Sequence, residues 1–238
     1  MKRNKNQITE KGLDAIITLL QTRIGMQFSE MSASDFRLPD DYSVRDLQNA
    51  AETMCQHMKM DGYTPIIILG ALNDSIAGNV SLDDSPLVFV RLDEMGIKEK
   101  KYNEYQVLSI IAHELCHKFL RVHKIMESSR KVEYITDACA VFVGFGEILH
   151  KGYHRKDTRI AGSLQITSTM NLGYLDLWQI SYIRNKIFGA SIPILEKYKF
   201  IRDHWTIILG VVYFILVILI WIVFFCIIFL LRLWRMNV

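Results

Sequence analysis

Apolar residues recur at Ile8, Leu13, Ile16, Ile17, Leu20 and Ile24, the spacing of one face of an amphipathic helix. Ser43 heads a second such pattern running to about Asp61 and reads as its N-cap, since a short hydroxyl can accept a free first-turn N–H. The period then changes. Pro65 to Leu69 is a β-branched run closed by Gly70, and residues 78–82 and 86–92 read as two more strands around the turn Asp83-Asp84-Ser85. From about Asn103 the segment VLSIIAHELCHKFLRVHK is apolar almost all round in its first half, which predicts a helix buried in the domain centre. Another helix is expected over about 130–149, loosened by Gly144 and Gly146 and closed at Lys151-Gly152. Residues 152–171 read as a loop, and about 175–188 as the final helix before Pro193. A small sheet followed by helices is an α+β pattern, here read as one domain over residues 1–200.

The stretch from Trp205 to Leu231 has a different character. Its 27 residues carry no charge, and as a helix they would reach roughly 40 Å against a hydrocarbon core of roughly 30 Å. Lys197, Lys199 and Arg202 precede it, Arg232 and Arg235 follow it, and two of Trp205, Trp221 and Trp234 fall at interface depth. This predicts one transmembrane helix over 205–231 with a short tail, 232–238, so that the protein is anchored at its C-terminus. No secretory signal is read in MKRNKNQITEKGLD and the IITLLQTRIG that follows, so the domain is expected to face the cytoplasm.

Composition narrows the class. With 13 Gly, 4 Pro and 4 Cys among 238 residues, collagenous, disordered and disulfide-scaffold chains are excluded. Cys55, Cys116, Cys139 and Cys226 have no paired spacing, which fits a reducing compartment. The formal charge of +3 gives no electrostatic ground for nucleic acid as a partner.

The chemistry concentrates in His113-Glu114-Leu115-Cys116-His117, an HExxH pattern inside the buried helix. Residues four apart lie about 40° apart around a helix and one turn apart along it, so both imidazoles can reach one tetrahedral metal ion. Glu114 then stands where a carboxylate can take a proton from an activated water. A catalytic zinc site normally has a third protein ligand, and three residues compete for that place. Glu133, twenty positions after His113, opens the next helix and could return to the first if the two pack antiparallel, with Asp137 one turn later bonding a ligand imidazole. His123 completes HELCHKFLRVH at the spacing HExxHxxGxxH, but Leu120 stands where the glycine would be. A leucine disfavours the left-handed turn that would swing His123 back. Asp137 itself is the third candidate. Cys116 is a soft donor in principle, and reads better as a small buried thiol.

The HExxH of 113–117 with the ExxxD of 133–137 resembles the gluzincins, which include thermolysin and the prenyl-protein (CAAX) protease group. The resemblance covers about residues 105–146. It implies a zincin-like fold, Zn²⁺ held by His113, His117 and Glu133, Glu114 as general base and Asp137 as the carboxylate behind a ligand. His123 with Ser168-Thr169-Met170-Asn171 is similar instead to the metzincin ligand run and Met-turn, the alternative assignment.

A zinc ion and a neighbouring carboxylate are the means of peptide-bond hydrolysis. The expected activity is a membrane-anchored zinc metallopeptidase acting on a protein or peptide at the membrane surface. A zinc-binding sensor or interaction domain without turnover is the alternative, against which the presence of Glu114 counts. His150, Tyr153, His154 and Tyr174 are the downstream groups able to donate to transition-state charge. If the zincin resemblance holds, the strand 86–92 is expected to be the edge that a substrate peptide joins.

Overall fold

The computed structural model describes residues 8–72, 77–99, 102–125, 131–161, 164–171 and 173–189. The apolar run 205–231 lies outside them, and among the described residues no helix is long and apolar enough to cross a membrane. The described chain is α+β.

Helix α1 (Glu10–Ile24) buries Leu13, Ile17, Leu20 and Ile24 and stops at Gly25, whose φ of 65° is left-handed. Helix α2 (Val44–His57) starts as the sequence indicates. The Ser43 N–H donates to Asp46 Oδ2 at 2.7 Å while the Asp46 N–H reaches Ser43 Oγ at 3.4 Å. It ends at His57, short of Asp61, and Lys59 follows with a φ of 55°.

Strands β1 (Thr64–Gly70), β2 (Gly78–Val80) and β3 (Leu87–Asp93) form a sheet in the order β1-β3-β2. Strand β3 pairs parallel with β1 and antiparallel with β2. The strand expected as the substrate-accepting edge is therefore the central one, with both sides already paired. Strand β1 carries Pro65, which has no N–H to donate, as suits an edge. Its outer side is closed by Gln48 of α2. The Gln48 amide donates to the Pro65 carbonyl at 2.7 Å and accepts the Ile67 N–H at 2.9 Å, imitating one residue of a neighbouring strand. Among the described residues no strand pairs with the far side of β2.

After the short α3 (Glu94–Lys98), α4 (Glu104–Val122) opens at Asn103, which exchanges hydrogen bonds with Gln106 at 2.9 and 3.0 Å. Leu108, Ile111, Ala112, Leu115 and Phe119 are buried along it, and it packs against α2, β2, β3 and the two helices that follow. These are α5 (Lys131–Ala140) and α6 (Gly146–Gly152), where the sequence suggested one continuous helix. A wide turn over Val141–Phe145 divides them. Gly144 there has a φ of 104°, its carbonyl accepts the Met31 N–H at 2.8 Å, and a Cβ would lie 2.1 Å from the Ser29 carbonyl oxygen.

Residues expected as a loop form a hairpin, β4 (His154–Ala161) and β5 (Leu164–Asn171), paired antiparallel from His154↔Asn171 to Ala161↔Leu164. The Thr- and Ile-containing segment LQITSTMN suits a pleated ribbon. Helix α7 (Leu177–Phe188) follows from Asp176.

One buried cation locks the β2–β3 turn to α4. Lys118 is 1% exposed. Its Nζ donates to the Asp83 and Ser85 carbonyls at 2.5 and 3.1 Å and lies 5.3 Å from the Tyr63 ring centroid. Replacement by methionine keeps most of the volume and strands two carbonyls. Lys118→Met is expected to lower stability by about 2–4 kcal/mol, read as a shift of the urea midpoint for the full chain in detergent.

Candidate metal centre

The helical repeat of α4 stacks His113 and His117 on one face, their ring centroids 4.7 Å apart and nearly perpendicular. Helix α5 packs against α4 and brings Glu133 from its first turn to both rings. Glu133 Oε2 is 3.1 Å from His113 Nε2 and 3.4 Å from His117 Nε2, and the two Nε2 atoms are 3.1 Å apart. Donors about 2.0–2.1 Å from a tetrahedral ion are separated by about 3.3 Å, so the triangle has the dimensions of three ligands around one metal. His113, His117 and Glu133 can hold a metal ion, and they are the one group of three such donors placed to do so among the described residues.

The hydrogen bonds behind the rings decide what faces the centre. Asp137 Oδ1 accepts from His113 Nδ1 at 2.7 Å, which assigns the Nδ1 proton and leaves Nε2 free as a donor to metal. Thr136 Oγ1 donates its one proton to the Val132 carbonyl at 2.9 Å. Facing His117 Nδ1 at 3.1 Å, it therefore accepts, and His117 is held with its Nε2 lone pair inward. Two lone pairs and a carboxylate oxygen converge, an arrangement that repels itself unless a cation lies between them.

The electrostatics agree. Burial works against charge on His113, but the hydrogen bonds to Asp137 and Glu133 and the nearby Glu114 carboxylate overcome it and raise the imidazole pKa to about 10. In the metal-free chain a proton thus takes the cation's place. The facing imidazoles of His113 and His117, in contact with its Oε2, hold the Glu133 carboxyl far below its ordinary range. Burial moves Glu114 the other way, above the usual carboxylate value, against the opposing pull of the two histidines.

These side chains open onto a cleft of about 400 Å³, walled by residues 77–80 of the β2 segment, by Ile110 and Glu114 of α4, and by Tyr174. Gly78 permits the close approach of β2 to α4, since a Cβ there would stand 2.6 Å from Ile110 Cγ2 and 3.0 Å from the Glu114 carboxylate.

The other expected residues separate clearly. Asp137 is fully buried, and its oxygens also accept from the Tyr153 hydroxyl, from the Tyr174 N–H at 2.7 Å and from the Leu175 N–H at 2.9 Å. Its lone pairs are spent behind His113, so it is not a ligand. His123 is the C-cap of α4, its ring 4.4 Å from Phe119, and it does not join the cluster because the helix continues through Leu120. Cys116 is buried beside Cys139, away from the cluster. The Tyr153 hydroxyl is committed to Asp137, and His150 on α6 does not line the cleft. The His154 side chain lies outside the described residues, and Ser168–Asn171 belongs to β5 instead of forming a Met-turn. Thr136 and Gly78 were not singled out from the sequence. Thr136 had a signal in its place, one residue before Asp137 on the ligand-bearing helix, but threonine there has many other uses.

Thr136→Val removes the acceptor behind His117 and is expected to weaken metal binding about 10–100-fold. Thr136→Ser is expected to stay near the parent, as a chelator competition would show. Since His113 holds its proton below about pH 10 in the metal-free chain, metal must displace it. Affinity is expected to rise about tenfold per pH unit between pH 6 and 8, with about one proton released from His113, measured by calorimetry in buffers of different ionisation enthalpy.

The chain matches no protein-family model, no curated protein and no solved structure, so what can be said of this centre comes from its own residues and their geometry.

Proposed function

We propose that the protein is a zinc metallopeptidase with a zincin-like domain, held at a membrane by the apolar run 205–231. The observation that supports this most directly is the His113–His117–Glu133 triangle sharing one cleft with Glu114. Two imidazoles and one carboxylate are a donor set suited to catalytic zinc. When bound, zinc supplies acidification of a water molecule and polarisation of the scissile carbonyl.

The chain's own residues do the rest. Glu114 follows ligand His113 directly and reaches the cleft, and its raised pKa brings it nearer the range where a carboxylate can take a proton and give it back. It accepts a proton from the attacking water and delivers it to the departing amine nitrogen. Asp137 and Thr136 hold the two imidazoles in register throughout. A peptide substrate enters as an extended strand along the open side of β2, the edge role first assigned to residues 86–92. Backbone hydrogen bonds there give affinity with little dependence on sequence, and Gly78 lets the bound backbone lie close to Glu114. Tethering limits substrates to proteins or peptides at the membrane surface, on the cytoplasmic side in this reading.

Elemental analysis of the full chain in detergent tests the ligand set. About one zinc per chain is expected in the parent and in His123→Ala, with loss in Glu133→Ala. Glu114→Gln is expected to keep its zinc and lose turnover by at least about a hundredfold. Zinc retained with no turnover in the parent would favour a sensor or interaction domain, and a folded parent without zinc would remove the reading altogether.

A further inference from the structure

We infer that Tyr174 is the catalytic residue that donates a hydrogen bond to the substrate carbonyl oxygen as it gains negative charge, an inference that rests on the metallopeptidase reading. Hydrolysis by an attacking water builds charge on that oxygen, and a donor already aimed at it is worth far more than one that must be recruited. Among the described residues no lysine or arginine lines the cleft. Its fixed charges, Glu114 and Glu133, have the wrong sign. The donors that the described lining residues offer are neutral side chains.

Apart from His113 and His117, four of the described lining residues carry a suitable side-chain N–H or O–H: Asn79, Ser109, Tyr153 and Tyr174. Ser109 spends its proton on the Tyr105 and Ile148 carbonyls at 2.6 and 3.0 Å. Tyr153 spends its own on Asp137 and is 2% exposed. Asn79 adjoins Gly78, on the strand that lies against Glu114, so it flanks the base. Tyr174 flanks the ligands instead. Its ring stacks on His113 with centroids 5.9 Å apart and planes 21° from parallel, and meets the Tyr134 ring, next to Glu133, at 6.1 Å. The residue is 51% exposed, and its hydroxyl has no hydrogen-bond partner among the described residues. Its backbone is nonetheless fixed, because the Tyr174 N–H is bound to Asp137. A half-exposed ring on an anchored backbone, with an uncommitted donor beside the ligand face, is a preorganised arrangement.

Tyr174→Phe removes the hydroxyl alone, leaving the stack on His113 and the bond to Asp137. The experiment uses the full-length chain in detergent, loaded with zinc. A proteome-derived peptide mixture read by mass spectrometry finds the preferred cleavage site, and a quenched fluorescent peptide of that sequence gives kinetics. Tyr174→Phe is expected to lower kcat about 100–1000-fold with KM within about twofold. Zinc content should stay at the parent level. A phosphinic pseudopeptide of the same sequence, whose tetrahedral oxygen stands where the charged carbonyl oxygen would, is expected to bind at least about tenfold more weakly, measured by calorimetry without turnover. Parent-like kcat and phosphinic affinity in Tyr174→Phe, with turnover still abolished by Glu114→Gln, would overturn this inference and leave the peptidase reading standing. The same holds if only KM rises, if zinc is lost, or if Asn79→Ala shows the kcat loss instead. No Glu114-dependent cleavage by the parent would overturn both.

Discussion

A single buried carboxylate organises this domain. Asp137 is fully buried, and an ionised carboxylate taken out of water is tolerable only if its lone pairs are met. Four donors meet them: the His113 imidazole, the Tyr153 hydroxyl, and the N–H groups of Tyr174 and Leu175. They come from α4, from the end of α6, and from the segment leading into α7, while Asp137 itself sits on α5. The ring orientation of His113, the root of the β4–β5 hairpin and the placement of Tyr174 are thus settled by the same desolvated charge. None of the three can shift without leaving part of that carboxylate unpaired.

The metal triangle is the second constraint, and it depends on the first. Asp137 and Thr136 turn both imidazole lone pairs inward, where Glu133 adds a third acceptor. This self-repelling cluster explains the raised His113 and depressed Glu133 pKa values as two faces of one demand for a cation. Glu114 is pushed the opposite way because burial outweighs the nearby imidazoles.

The sheet decides from which side a strand can approach. Gln48 closes one edge by hydrogen-bonding like a strand, β3 is paired on both sides, and among the described residues β2 alone keeps an unpaired side. Lys118 fixes the β2–β3 turn on α4, and Gly78 allows β2 to lie against Glu114. A buried lysine and a glycine without a clashing Cβ together place the β2 edge beside the cleft.

Local pattern was enough to find the parts. A capping serine marked where α2 begins, apolar periodicity placed α4 from about Asn103, short apolar runs between turn residues marked β1 and β3, and the four-residue spacing of His113 and His117 marked one helical face as a candidate metal site, because these are properties of a few consecutive residues. The pairing of strands was not legible, since β3 looks the same in sequence whether central or at an edge, and neither was the hairpin, whose polar strands resemble a loop. The division of α5 from α6 depends on Gly144 meeting Ser29 and Met31, far away along the chain. Choice among Glu133, His123 and Asp137 likewise belonged to the tertiary structure. All three have plausible spacing, and only the packing of α5 on α4 shows that Glu133 faces the imidazoles, that His123 ends the helix elsewhere and that Asp137 has no lone pair to spare. Sequence determined which metal-binding donors the chain offers, because donor types and helical period are local; the fold decided which donors meet, because that is settled by contacts between residues distant along the chain.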